Sequence, residues 1–323
     1  MPLTFSDRIL GLRAEIDRQL NKIELPAIST ALTQPMRFSL IAKAKRLRPI
    51  LLLLVGENLG ATRQNLMPAA LAIEILHTFT LVHDDIMDND LFRRGQPTVH
   101  VKWNVNTAIL TGDGLMALAF RILMQTKSDQ LDRIGTEFSQ AMLEICDGQA
   151  FDLAFEKCDV IDSDDYMNMI ARKTGRLLGL ACQLGALVAG AGPKIVNNLN
   201  LFGIELGQAF QIQDDLLELT ADQEVMGKSL GSDFSAGKKT YPVVTTLNEL
   251  AENQRAGFLS FLKANANNRR QIVRELAKHD SIRQTEAVIA RLLQNARQRL
   301  QNLPTQLQDD LLDLMELIAR RQS

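Results

Sequence analysis

A chain of 323 residues that is 46% hydrophobic can bury a sizeable core, and its length leaves one or two domains open. The formal net charge of -2 provides no global positive field, which argues against nucleic acid or anionic lipid as the main partner. Three cysteines, Cys146, Cys158 and Cys182, form no pairable framework and lack metal-ligand spacing, as suits a reducing, cytoplasmic setting.

From the first residues onward the pattern is helical. Asp7 and Arg8 follow Met1 too closely for the apolar core of a secretory signal. Leu, Ala, Met, Gln, Glu and Arg abound, only 5% of residues are aromatic, and no alternating run of Val, Ile and Thr argues for a sheet. Breaks fall at Leu25-Pro26, Gly60 to Thr62, Arg94 to Pro97, Ala191 to Pro193, Gly231 to Gly237 and Ala264 to Asn268. None has the length or composition of a domain linker. The expectation is one all-α domain over 1–323, a bundle of ten or more helices. The apolar stretches Ile50 to Val55 and Leu177 to Gly192 are too short or too interrupted to span a bilayer, so no transmembrane segment is expected.

Lys45, Arg46 and Arg48 precede Pro49 and the apolar run Ile50 to Leu54. Cations at a helix N-terminus oppose the macrodipole, and an anion among them would remove that cost. Next, Leu71 to Asp88 reads as a long helix with hardly any polar face, which belongs in the middle of a bundle. It ends in Asp84-Asp85-Ile86-Met87-Asp88, with Arg93 and Arg94 just beyond. Gly112-Asp113-Gly114 reads as a hinge with an N-cap aspartate. A second apolar helix, around Phe202 to Glu218, ends in Gln211-Ile212-Gln213-Asp214-Asp215-Leu216-Leu217-Glu218. Gly227-Lys228 and Gly237-Lys238-Lys239-Thr240 come after it.

In each acidic set the first and last carboxylates are four apart, so on a helix they share a face and can grip one ion. Mg²⁺ suits them, because it is usually held by one or two carboxylates plus phosphate oxygens and water. The nearby Lys and Arg point to that phosphate. The two buried helices ending in acids suggest an apolar cavity with a carboxylate-lined mouth, that is, a diphosphate-handling site.

The ordered set of motifs carries a resemblance. Lys45-Arg46-Leu47-Arg48-Pro49, His77, Asp84 to Asp88, Arg93-Arg94-Gly95, Gly112-Asp113, Gly148-Gln149, Lys173-Thr174, Gln211 to Asp215, Gly227-Lys228 and Gly237 to Thr240 follow one another as in the trans-isoprenyl diphosphate synthases. The chain resembles that family between about residues 45 and 240, and within it looks most like archaeal-type geranylgeranyl diphosphate synthases. The resemblance implies an all-α fold around a central cavity, a homodimer, and three Mg²⁺ ions. It implies that Asp84 and Asp88 hold two ions on an allylic diphosphate and that Asp214 holds a third, with Asp85, Asp215 and Glu218 in support. Arg93, Lys173, Lys228 and Lys238 would contact that diphosphate. Lys45, Arg48, His77 and Arg94 would bind isopentenyl diphosphate. Thr174 and Gln211 would lie beside the allylic carbon where positive charge develops.

Three departures from the family stand out. Lys43 and Ala44 replace two glycines common before the first Lys-Arg; Asn104 stands where a Gly is frequent, tolerable because Asn adopts the left-handed region; and Glu218 replaces the usual Asp. For product length the resemblance selects Phe79, five residues before Asp84 and about 7.5 Å lower on a helix, as the cavity floor. Periodicity alone would sooner choose Leu76 or Thr80. Phe79 without an aromatic at Thr80 favours a C20 product, with C15 next and C25 or longer third. A terpene cyclase or head-to-head synthase shares the ionisation chemistry but lacks an isopentenyl diphosphate site, which Lys45, Arg48 and Arg94 supply here. A regulatory subunit would tend to lose acidic-motif residues, and this chain keeps them.

Overall fold

The computed structural model describes residues 4–220, 239–266 and 268–319. The chain is all-α, as the composition implies. In order, the helices are α1 (Phe5–Lys22), α2 (Thr30–Leu40), α3 (Leu47–Asn58), α4 (Arg63–Met87), α5 (Val99–Lys102), α6 (Val105–Leu123), α7 (Leu131–Phe155) and α8 (Ser163–Ile170). A π-helical segment, Ala171–Gly175, leads into α9 (Arg176–Val188) and α10 (Pro193–Thr220). Then come α11 (Tyr241–Glu249), α12 (Glu252–Ala264), α13 (Arg269–Lys278), α14 (Ser281–Arg299) and α15 (Thr305–Ala319). Breaks fall where the sequence placed them, except that Gly231 to Gly237 lies outside the described residues.

Between α4 and α5 stands a ribbon that the sequence did not announce. Strand β1 (Phe92–Arg93) pairs antiparallel with β2 (Gln96–Pro97). Two-residue strands leave no alternation to read. Arg94 (φ 54°) and Gly95 (φ 76°) form the connecting turn with both residues left-handed, the geometry that matches strand twist in a tight hairpin.

The chain divides into two compact units with interleaved segments. The first takes in the described residues of 1–139, 180–199 and 302–313, and the second those of 140–179, 200–301 and 314–323. In the first unit, Ile50 to Val55 of α3 are at most 1% exposed and pack with α4. Each such side chain contributes about 1.5–3 kcal/mol on burial. Helix α4 packs also against α6 and is apolar nearly all round. Among the described residues it is the one helix long and apolar enough to cross a membrane, yet 72% of that stretch is buried within the protein. It is a core helix.

Two local expectations change. Gly112 and Asp113 lie inside α6 and form neither a hinge nor a cap. Asn104 is extended and not left-handed (φ -169°, ψ 171°); it caps α6 by accepting from the Thr107 amide at 2.8 Å. Extended backbone is usual at an N-cap, and Asn adds a side-chain acceptor that Gly lacks.

The second unit has its own core. Ile161, Tyr166, Met169, Ile170, Ile212 and Val244 form one cluster, and Leu219, Val243, Leu247, Phe258, Ile272 and Leu276 another.

Candidate active site

Helix α4 closes its last turn between Asp84 and Asp88, where the Asp88 amide donates to the Asp84 carbonyl at 2.8 Å. Carboxylates here meet the negative end of the helix dipole, an arrangement that a cation relieves. Asp84 and Asp88 are half-buried. Asp85, one residue round the helix, is buried and accepts from Arg93 Nε. Burial pushes the Asp85 carboxyl up to about 6 against the pull of Arg93. Arg93 also donates to Asp90 at 3.1 Å. Asp85 is thus committed to the ribbon that carries Arg93, while Asp84 and Asp88 form the pair one turn apart.

The basic residues near α3 separate into two roles. Arg46 is buried in a left-handed conformation (φ 52°) and donates to Glu74 at 2.6 Å, Asp17 at 2.8 Å, and the carbonyls of Leu40 and Ala42. Its charge is answered inside the protein. Arg48, by contrast, donates to His77 Nε2 at 2.9 Å. A guanidinium can only donate, so this nitrogen accepts. Burial, then Arg48 and Arg94, hold His77 well below the usual imidazole range, so the ring stays neutral. Arg94 is itself lowered, chiefly by burial, with Glu74 opposing. Its left-handed backbone costs about 1–2 kcal/mol in a residue other than Gly. Arg48, His77 and Arg94 therefore form a cationic cluster, and Lys45 lies exposed beside it in sequence.

In the second unit the candidate residues meet around the π-helical segment, a feature found often at functional sites. Lys173 within it ion-pairs with Asp152. A Cβ on Gly148 would fall 2.5 Å from the Lys173 backbone nitrogen, which accounts for glycine there. Thr174 donates to Gln211 Oε1 at 3.0 Å, and Gln211 Nε2 donates to Asp215 Oδ1 at 3.2 Å. Asp215 Oδ2 accepts from the Tyr166 hydroxyl and, at 2.9 Å, from the Tyr241 amide. Burial outweighs these donors and pushes the Asp215 carboxyl up to about 7. Asp214 is exposed and Glu218 half-buried, four residues apart on α10. Lys228 and Lys238 lie outside the described residues. Their neighbour Lys239 donates to the Phe155 carbonyl at 3.1 Å.

Sequence reasoning missed the roles of Asp152 and Tyr166. Asp152 carried a signal, since it stands one helical turn past Gly148-Gln149. Tyr166 carried none, because its partner Asp215 is 49 residues away.

The acids fit Mg²⁺ held jointly with substrate. Among the described residues no three His, Cys, Asp or Glu side chains converge to cage an ion. An ion that completes its shell with phosphate oxygens and water needs no such cage. Both amide atoms of Gln149 are buried without a partner among the described residues. A buried polar group of this kind calls for water or a ligand.

The chain-length candidates all lie on α4. Leu76 is fully buried, and Phe79 is 7% exposed. Thr80 is half-buried and donates to the carbonyl of His77 at 2.9 Å. The Phe79 ring meets His83 edge-on, with centroids 4.9 Å apart.

The Polyprenyl synthetase family model matches residues 29–279. A geranylgeranyl diphosphate synthase of Methanosarcina mazei is 38% identical over 246 residues, 76% of each chain. A geranylfarnesyl diphosphate synthase of Aeropyrum pernix is 42% identical over 210 residues, covering 63% of this chain and 66% of that one. The crystal structure of a geranylgeranyl pyrophosphate synthetase from Pyrococcus horikoshii superposes with a TM-score of 0.90 at 33% identity, covering 97% of both chains. A polyprenyl synthase from Caulobacter crescentus, solved with calcium and isoprenyl diphosphate, superposes at 0.86 with 25% identity over 99% of this chain and 97% of that one. The chain belongs to the polyprenyl synthetase family. It is a prenyltransferase.

Proposed function

We propose that the chain condenses isopentenyl diphosphate head-to-tail with allylic diphosphates, and that its main product is the C20 geranylgeranyl diphosphate. The observation that carries this reading is the placement of two anion-seeking groups on one helix. His77, bonded to Arg48 and in the field of Arg94, and Asp84 are seven residues apart on α4. That spacing returns to the same helix face about 10.5 Å along the axis. A cationic cluster takes a diphosphate directly. A carboxylate pair takes one through a divalent ion.

Each group then has a task. Arg48, Arg94 and Lys45 bind the diphosphate of isopentenyl diphosphate, and neutral His77 accepts from Arg48 to hold its guanidinium in place. Asp84 and Asp88 would hold Mg²⁺ on the allylic diphosphate, and Asp214 would hold a further ion with Glu218 in support. Asp85 and Asp215 orient Arg93 and Gln211. Bound Mg²⁺ supplies positive charge against the negative charge that concentrates on the departing diphosphate. Lys173, with Arg93, Lys228 and Lys238, adds fixed cations to the same end. The Thr174 hydroxyl and the Gln211 amide present lone pairs to the allylic cation. The isopentenyl double bond attacks that cation, and the new cation loses a proton to the released diphosphate. The apolar surface of α4 excludes water that would otherwise quench the charge.

The Aeropyrum pernix relative favours a second reading, a C25 product, at similar identity. A homodimer fits the exposed apolar side chains of Val105, Ile109 and Leu110 on α6. Cys146 and Cys158 are exposed, which suits a reducing cytoplasm. The test is incubation with Mg²⁺, isopentenyl diphosphate and dimethylallyl, geranyl or farnesyl diphosphate in turn, with product carbon number read by mass spectrometry. A C20 diphosphate confirms the main reading and C25 the second. No consumption of isopentenyl diphosphate rejects both.

A further inference from the structure

His83, between the floor candidate Phe79 and the proposed metal ligand Asp84, is fixed from three sides. Its Nε2 lies 3.1 Å from the Ile109 carbonyl of α6. A carbonyl can only accept, so Nε2 carries the proton and donates. On the same side, a Cβ on Gly112 would fall 2.1 Å from His83 Nε2 and 2.3 Å from its Cδ2. The ring therefore occupies the space that any other residue at 112 would fill. The third side is Phe79, one turn down α4, whose ring meets the imidazole edge-on at 65° with centroids 4.9 Å apart. Such pairs prefer this edge-to-face contact, which contributes beyond mere burial.

We propose that His83 is a positioning residue for product length: seated between Gly112 and the Ile109 carbonyl, it holds the Phe79 ring in the orientation that stops chain growth. This rests on the reading of Phe79 as the floor. A floor resists a growing apolar chain only if its ring cannot rotate aside, and a phenyl ring is free to change rotamer where neighbours leave room. Residues four apart on a helix share a face, so the imidazole lies directly against the Phe79 ring. The imidazole is anchored to the neighbouring helix, so the stop belongs to the α4–α6 pair and not to Phe79 alone. His83 touches no reacting atom in this account, and its effect passes entirely through Phe79.

The experiment compares product lengths from Mg²⁺, isopentenyl diphosphate and geranyl diphosphate for wild type, Phe79→Ala, His83→Ala, His83→Phe and Gly112→Ala. The expected result is a dominant product at least one C5 unit longer for His83→Ala, and wild-type length restored in His83→Phe, which keeps a ring against Phe79. Gly112→Ala displaces the imidazole from the far helix without touching the acids, and changes the product distribution as well. If Phe79→Ala leaves length unchanged, the floor reading fails and this proposal with it. If Phe79→Ala lengthens the product while His83→Ala does not, the positioning role alone is overturned. Should His83→Ala be inactive, Gly112→Ala decides: an altered distribution supports the role, and an unaltered one, or loss of activity there too, overturns it.

Discussion

Thr174 donates to the side-chain oxygen of Gln211 at 3.0 Å while the nitrogen of the same amide donates to Asp215 at 3.2 Å. The amide thus fixes the direction of the Thr174 hydroxyl and is itself fixed by a buried carboxyl. Gln211→Leu removes both bonds and keeps the side chain's bulk. The expected outcome is a fall in kcat of about 10²–10³, the range for loss of one preorganised polar group, with KM for both substrates little changed. Steady-state kinetics with each substrate varied in turn provide the check.

Lys45 and Arg46 are neighbours with opposite tasks. Arg46→Ala leaves Glu74, only 2% exposed, as a buried charge without its main partner, a change that costs about 3–5 kcal/mol. Lys45→Ala removes an exposed cation from the proposed isopentenyl diphosphate site. Thermal unfolding should show a drop in Tm for Arg46→Ala and none for Lys45→Ala. Kinetics should show a raised KM for isopentenyl diphosphate in Lys45→Ala.

These contrasts mark where sequence reading ends. Helix class, the breaks and the face shared by Asp84 and Asp88 follow from composition and a period of 3.6. The inward turn of Asp85 and Asp215 follows from the same period, since adjacent helical residues point about 100° apart. What each then meets is invisible locally: Asp85 finds Arg93 across a turn, and Asp215 finds Tyr166, which is 49 residues away. Arg46 reads like Arg48 until Glu74 and Asp17 are brought to it by α4 and α1. The π-helical turn at Lys173-Thr174 has no pattern of its own, and only Gly148, pressed on its backbone, hints at it.

Asp215 makes stability depend on pH. Its carboxyl holds a proton up to about 7 in the folded chain, against 3.8 ordinarily, with burial the main cause. Between these values the folded state keeps a proton that the unfolded state has released. Its contribution is therefore full below about pH 4 and is lost as pH rises to about 7. Asp215→Asn lacks this slope. Urea unfolding of both proteins across that range should show the wild type losing stability relative to the variant as pH increases. Parallel curves would refute the assignment.

With Phe79 as the proposed floor, Phe79→Ser is expected to open space for a longer chain. The dominant product should lengthen by one or more C5 units, as read by mass spectrometry of the hydrolysed alcohols. Leu76→Ser, one turn lower, should lengthen it only when combined with Phe79→Ser, because the upper stop acts first. A single Leu76→Ser variant that lengthens the product would place the floor at Leu76.

The central claim is that Asp84 and Asp88 engage an allylic diphosphate through a divalent ion to drive its departure. The most direct measurement is turnover of labelled isopentenyl diphosphate with geranyl diphosphate and Mg²⁺ by wild type and Asp84→Ala, with unfolding followed in parallel. The account predicts Mg²⁺-dependent product from the wild type and a loss of several orders of magnitude in Asp84→Ala, with cooperative unfolding retained. Turnover close to wild type in that variant would contradict it.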